Sequence, residues 1–413
     1  MVNPNHVTLN HGGVPRLPRV CVGWAGRAAR ALTTGLSALA LAVGALAVVP
    51  APARAEDVIT TQEYFSYYHL DTARAKGYTG KGVTIALIDG PIDTSAPELK
   101  GANVTDKSRC AIEAAPAERS HATAMASLLV SRDYGVAPDA TLYSYQRASD
   151  GAISPGSCEV GGERRDSLKT LIHQAIDDGA QIISLSQGSS SHEDDLKWAI
   201  ARAMNEGVII VNSAGNTGAD NNTQQLSWWS GVVGVSAITT TGERSSYSSW
   251  GNGVTTAAIG GPITARNYET GANESHSGTS NAAPLVAGML ALARQKWPDA
   301  TSNQLLQVLT QTALNPNHEW NQYTGYGPID GGALVNTDPS QYPDENPLAQ
   351  KEGGSKPTVD DVQDYGDGLV SPIEVTADAS YVYRGTNESV LALGDRGGAN
   401  QVHLGTSPRY HRK

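Results

Sequence analysis

Asp89, His121 and Ser280, in that order along 413 residues, supply a carboxylate, an imidazole and a hydroxyl, the parts of an activated serine nucleophile. Ser280 has the most informative surroundings. The stretch from Ser275 to Gly288 opens polar, narrows to Gly278-Thr279-Ser280, then continues as small and apolar residues to Leu292. That run is too long for a strand and poor in β-branched residues, so it predicts a buried helix. Pro284 would sit near the helix start, where a missing N–H costs little. A hydroxyl at that end faces unpaired N–H groups and the positive end of the dipole, which suits a nucleophile whose attack creates an oxyanion. Ser is equally a favoured N-cap, and the stretch alone leaves both roles open.

The elements around the other two residues leave the same kind of choice. Val83-Thr84-Ile85-Ala86-Leu87-Ile88 reads as a strand buried on both faces, and Asp89 ends it. The carboxyl end of a parallel strand is where α/β folds place functional groups, although an Asp before Gly90-Pro91 also suits a plain turn. His121 stands near the first turn of a small-residue helix beginning about Ser120. It is one of ten histidines, His276 among them, and only its position relative to Asp89 and Ser280 marks it out.

Composition limits what such a site could serve. Residues 1–55 hold five of the 30 basic residues and none of the 41 acidic ones. The remainder carries 25 basic against 41 acidic residues, a formal charge of −16, which argues against binding nucleic acid or anionic lipid. Arg27 and Arg30 precede the apolar run Ala31–Val49, and Ala53-Arg54-Ala55 offers a small-x-small cleavage pattern. Residues 1–55 therefore read as an export signal; an uncleaved membrane anchor is the less favoured reading. Export would place the chain outside the cell or in the envelope. Of three cysteines, Cys21 leaves with the signal, and Cys110 and Cys158 form the one available pair. Their bridge would close a loop of about 48 residues, worth at most ~4 kcal/mol by chain entropy. No CxxC or His/Cys cluster suggests a structural metal.

In chain order, residues 56–80 form a lead segment with helical character over Thr61–Lys76. Strands are expected near Thr141–Tyr145, Ile182–Leu185, Val208–Val211 and Gly231–Ala237, and helices over Asp166–Asp178, His192–Glu206 and Ser302–Thr312. This alternation predicts a mainly parallel sheet with helices on both faces, over residues 81–337. From Asp338 Pro, Gly, Asp and Asn dominate, with one strand-like stretch at Ile373–Val382; residues 338–413 are expected to be a loosely ordered extension.

Taken together these motifs resemble the subtilisin-like serine peptidases, the subtilases. Ile85-Ala86-Leu87-Ile88-Asp89 is similar to the family's strand ending in its catalytic Asp, and His121-Ala122-Thr123 to the start of its catalytic helix. Ala214-Gly215-Asn216 resembles the oxyanion-hole segment, and Gly278-Thr279-Ser280-Asn281-Ala282-Ala283-Pro284 the nucleophile motif. Gly135-Val136-Ala137-Pro138 and Ser245–Gly251 extend the similarity, which spans about residues 80–336. The resemblance implies a subtilisin-like α/β fold and a serine endopeptidase that uses no cofactor, structural calcium being left open. Ser280 would be the nucleophile, His121 the base, Asp89 the orienter and Asn216 the oxyanion donor. An extended polypeptide would be bound by strand addition along Ser184, Leu185, Ser186, Gln187 and Gly188, with Asn212, Ser213, Ala214 and Gly215 lining a side-chain pocket.

Gly90-Pro91 stands where the family has Ser/Thr-Gly, Ala122 where it has Gly, Ser127 in place of a frequent Gly, and Ser186-Gln187-Gly188 in place of Ser-Leu-Gly. An Ala is harmless where φ is negative, as expected within a helix. The short lead segment, the paired cysteines and the signal resemble mycosins, the subtilases associated with type VII secretion, whose machinery is thus an implied partner. Mycosins usually end in a membrane anchor; no apolar run after residue 340 predicts one here. A second reading is a subtilase-fold module that binds peptides or supports such a complex without catalysis.

Overall fold

The computed structural model describes residues 58–148, 158–160, 163–188, 196–220, 225–385 and 387. The expected signal segment 1–55 lies outside them. So do residues 192–195, at the start of the expected His192–Glu206 helix, and most of the tail beyond 385.

Two short helices, α1 (Glu63–Tyr67) and α2 (Leu70–Ala75), replace the single helix expected over Thr61–Lys76. The break falls at His69, whose φ of 52° is left-handed. There follow β1 (Thr84–Asp89), β2 (Asn103–Asp106), α3 (Pro116–Val130) and β3 (Thr141–Gln146). A small ribbon of β4 (Glu159–Val160) and β5 (Glu163–Arg164) precedes α4 (Leu168–Asp177) and β6 (Ile182–Leu185). Next come α5 (Leu196–Asn205), β7 (Ile209–Ser213), β8 (Val232–Ile238) and β9 (Val254–Ile259). A hairpin of β10 (Ile263–Arg266) and β11 (Asn273–His276) leads into α6 (Thr279–Lys296). The remaining helices are α7 (Ser302–Gln311), α8 (Gly331–Asn336) and α9 (Val359–Gly366).

Seven strands form one parallel sheet in the order β2-β3-β1-β6-β7-β8-β9. Both faces are covered, as an all-parallel sheet requires. Ile85 and Leu87 of β1 join the core built with α3, α6, α7 and α8, while Ala86 and Ile88 join the core built with α4 and α5. This period-2 division explains why Ile85–Ile88 is an unbroken apolar run. The strand order reverses between β1 and β6, and the crevice at the carboxyl ends of strands on either side of such a reversal is where open α/β sheets bind ligands. Asp89 and Ser186-Gln187-Gly188 leave the sheet there. The small strand β2 and the β9–β11 region had no clear period in the sequence.

The expectation of a loosely ordered extension fails for residues 338–383. Tyr365 of α9, Val370 and Val375 pack against Trp198 and Ala201 of α5. Arg202, 3% exposed, reaches Asp378 at 3.3 Å as well as Asp177 and Glu206 at 2.7 Å. The polar composition that suggested a tail thus makes a charged and aromatic seam. The strand expected over Ile373–Val382 is absent, and this stretch is made of turns. Asp378 there accepts from the backbone and hydroxyl of Ser380, a local bond that competes with a ladder.

A second fastening is Lys351. Its buried ammonium donates to the carbonyls of Ser227, Val232 and Gly253 at 2.6, 2.6 and 2.9 Å. Burial pushes Lys351 down to about 7, while the three acceptors favour the charged form. Lys351→Met removes a buried donor from three carbonyls, so it should destabilise the fold by about 2 kcal/mol or more. Urea denaturation checks this; a midpoint unchanged from wild type would show that the fastening carries no stability.

Candidate active site

Asp89 is buried at the end of β1 with 1% exposure. Its Oδ1 accepts from the Gly90 N–H at 2.7 Å and lies 3.0 Å from His121 Nδ1. An ionised carboxylate only accepts, so Nδ1 carries the proton and Nε2 is the nitrogen left to act as a base. α3, which presents His121, starts at Pro116 rather than near Ser120. Pro at the first position and Glu118, whose carboxylate accepts from the Ala115 N–H at 3.1 Å, set that earlier start. His121 therefore stands in the second turn. Ala122 lies inside the helix, and among the described residues only His69 and Asn317 have positive φ apart from glycines, so Ala costs nothing there. Ser127 donates back to the Thr123 carbonyl at 2.8 Å within the same helix.

Burial pulls the His121 imidazole down, but the charge and hydrogen bond of Asp89 raise it by more, leaving it above its ordinary value of 6.5. His276 lies beside it, ring centroids 6.2 Å apart at an angle of 74°. Desolvation and then the His121 charge lower His276, against its hydrogen bond to Asn281 Oδ1.

Ser280 is the second residue of α6, 5% exposed, with its N–H among the helix's first four. Pro284 is the sixth residue of α6, further in than the sequence suggested, and it denies a helical hydrogen bond to the carbonyl four residues earlier. That carbonyl belongs to Ser280, and Ser186 Oγ donates to it at 2.9 Å. The first turn of α6 is thereby tied to the end of β6, a role for Ser186 that the sequence did not indicate.

Asn216 is oriented through Thr279. Its Oδ1 accepts from the Thr279 N–H at 2.8 Å and the Thr279 hydroxyl at 2.9 Å, so its amide NH₂ faces the other way. A Cβ built on Gly278 would lie 2.9 Å from Ser280 Oγ and 3.3 Å from Asn216 Nδ2, which puts both groups close to one point beside this residue. Gly278 is required for that approach. The resulting constellation has a hydroxyl, a base with its proton-accepting nitrogen free, and N–H donors for a developing oxyanion.

The expected peptide-binding segment needs correction. β6 is paired on one side with β1 and on the other with β7, and Ser184 and Leu185 are buried in those ladders. Neither can receive another strand; of that segment only Ser186, Gln187 and Gly188 lie beyond the strand end. Asn212 and Ser213 are the last two residues of β7, paired with β8, and Ala214 and Gly215 follow the strand end. Asn212 instead donates to the carbonyls of Leu185 and Gln187 at 3.3 and 3.4 Å, holding the crevice edge from beneath. Cys110 and Cys158 are joined as expected, Cα atoms 5.3 Å apart.

Comparison with known proteins decides the family. The subtilase family model matches residues 80–327. The chain is a subtilase. It is 31% identical over 281 residues to the thermostable alkaline protease of Halalkalibacterium halodurans, covering 65% of this chain and 70% of that protein. It is 30% identical over 316 residues to mycosin-1 of Mycobacterium tuberculosis, covering 63% of this chain and 70% of mycosin-1. Among solved structures, MycP1 from Mycobacterium smegmatis superposes with a TM-score of 0.57 at 26% identity, covering 72% of this chain and 89% of MycP1. MycP1 from the ESX-1 type VII secretion system gives 0.58 at 26% identity, covering 71% and 90%. The subtilase is therefore a mycosin-like serine endopeptidase in family and fold. Among its described residues no helix is long and apolar enough to cross a membrane.

Proposed function

We propose that this subtilase is an exported endopeptidase that cleaves extended polypeptides outside the cell or in its envelope, through an acyl-enzyme on Ser280. The hydrogen bond between Asp89 and His121 at the carboxyl end of β1 carries the reading, because it fixes the tautomer a serine needs. Ser280 Oγ attacks the peptide carbonyl as its proton passes to His121 Nε2. Asn216 and the Ser280 N–H receive the oxyanion. His121 then protonates the departing amine, and water repeats the sequence to release the acid. Residues 186–188 form the edge along which the peptide lies. Export rests on the pattern of residues 1–55 and the Cys110–Cys158 bridge. Likeness to MycP1 supports work beside a type VII secretion system.

The pH profile of kcat/KM tests this, with Ser280→Ala as the blank. His121 must be neutral to accept a proton, and its folded value is raised. Activity should thus fall as pH drops through a midpoint above 6.5. Peptide cleavage equal in wild type and blank would remove the proposal.

A further inference from the structure

Asp89 has few donors among its own neighbours. Gly90 contributes only its N–H, and Pro91 has none to give. Asp89 Oδ2 accepts no hydrogen bond from the described residues, so a carboxylate with 1% exposure relies on what reaches Oδ1. One further group does. Gln187, just past the end of β6, donates from Nε2 to Asp89 Oδ1 at 3.4 Å. Its amide cannot turn over, because Arg147 Nη1 donates to Gln187 Oε1 at 3.2 Å. Arg147 also donates to the Gly188 carbonyl at 3.4 Å, and its own N–H extends the β1–β3 ladder by bonding the Asp89 carbonyl at 2.8 Å. The guanidinium, the amide and the carboxylate thus form a chain across the carboxyl ends of β3, β6 and β1.

We propose that Gln187, held by Arg147, is a positioning residue for Asp89: it supplies a donor that Gly90-Pro91 cannot and joins the peptide-binding edge to the Asp89–His121 pair. This rests on the reading of Asp89 as orienter of His121. The positive end of the Gln187 amide lies against the oxygen that His121 uses, so it restrains how strongly Asp89 favours the imidazolium. Removing it lets His121 hold its proton to higher pH. The other charged groups around the cavity beside His121 are Arg266 on β10 and Glu274 on β11, with His276 on β11 the further titratable one. All three stay unchanged in the variants.

The test compares wild type, Gln187→Met, which keeps length but not the donor, and Gln187→Glu, which keeps an acceptor for Arg147 while placing a charge beside Asp89. His121 is titrated by NMR, and kcat and KM are measured separately on a peptide substrate. The His121 midpoint should rise in Gln187→Met and rise further in Gln187→Glu. In Gln187→Met, kcat should fall on the order of ten-fold with KM nearly unchanged. An unmoved His121 midpoint, or a raised KM with kcat intact, would reduce Gln187 to a residue of the peptide edge and overturn the proposal. Failure of the wild type to cleave peptides would remove the catalytic reading instead, while the His121 titration would still decide the role of Gln187.

Discussion

Asp89→Asn should lower kcat by on the order of 10⁴ while the protein stays folded. The carboxylate accepts from His121 Nδ1 at 3.0 Å and from the Gly90 N–H at 2.7 Å on the same oxygen. An amide of the same shape can offer its NH₂ to the imidazole. His121 would then accept at Nδ1 and carry its proton on Nε2, the nitrogen that must take the proton from Ser280. The lost charge also leaves the imidazolium unstabilised in a buried site. Steady-state kinetics, with circular dichroism as a check on folding, measure the effect. Loss of less than ten-fold would mean that Asp89 does not set the tautomer.

The second large effect is expected at Asn216. Its Oδ1 is bound twice by Thr279, so the NH₂ is presented without the residue being part of the core. Asn216→Ala should cost on the order of 10²–10³ in kcat, ~2.7–4 kcal/mol, the loss known for an oxyanion donor in a subtilisin. KM should change little, because the ground-state carbonyl gains less from that donor than the oxyanion does. Stability should hold near wild type. A variant that loses KM rather than kcat would identify Asn216 as a peptide-binding group instead.

Much of this architecture was legible because its central strands are buried and mostly apolar and its helices show a clear apolar face. β1, β6, β7 and β8 are buried on both sides, and their sequences show it. The positions of Asp89 and Ser280 followed from element ends. The misreadings have physical causes. Ser184 and Leu185 sit where the family resemblance suggested a substrate edge, but sheet order decides which strand has a free side, and order is a long-range property. The break at His69 needs a left-handed residue that carries no glycine to announce it. Residues 338–383 read as loose because their fastening is a few long-range contacts. Lys351 on three carbonyls and Arg202 on Asp378 have no local period. Gln187 was visible only as a departure at a motif position; its bond to Asp89 depends on β1 and β6 being neighbours.

The central claim is that Ser280 is an activated nucleophile. A fluorophosphonate probe tests it directly, with the modified residue located by mass spectrometry after digestion. The folded protein at pH 8 should be labelled on Ser280 alone, and Ser280→Ala should take up none. Absence of labelling in folded wild-type protein, or labelling that persists in Ser280→Ala, would contradict the account.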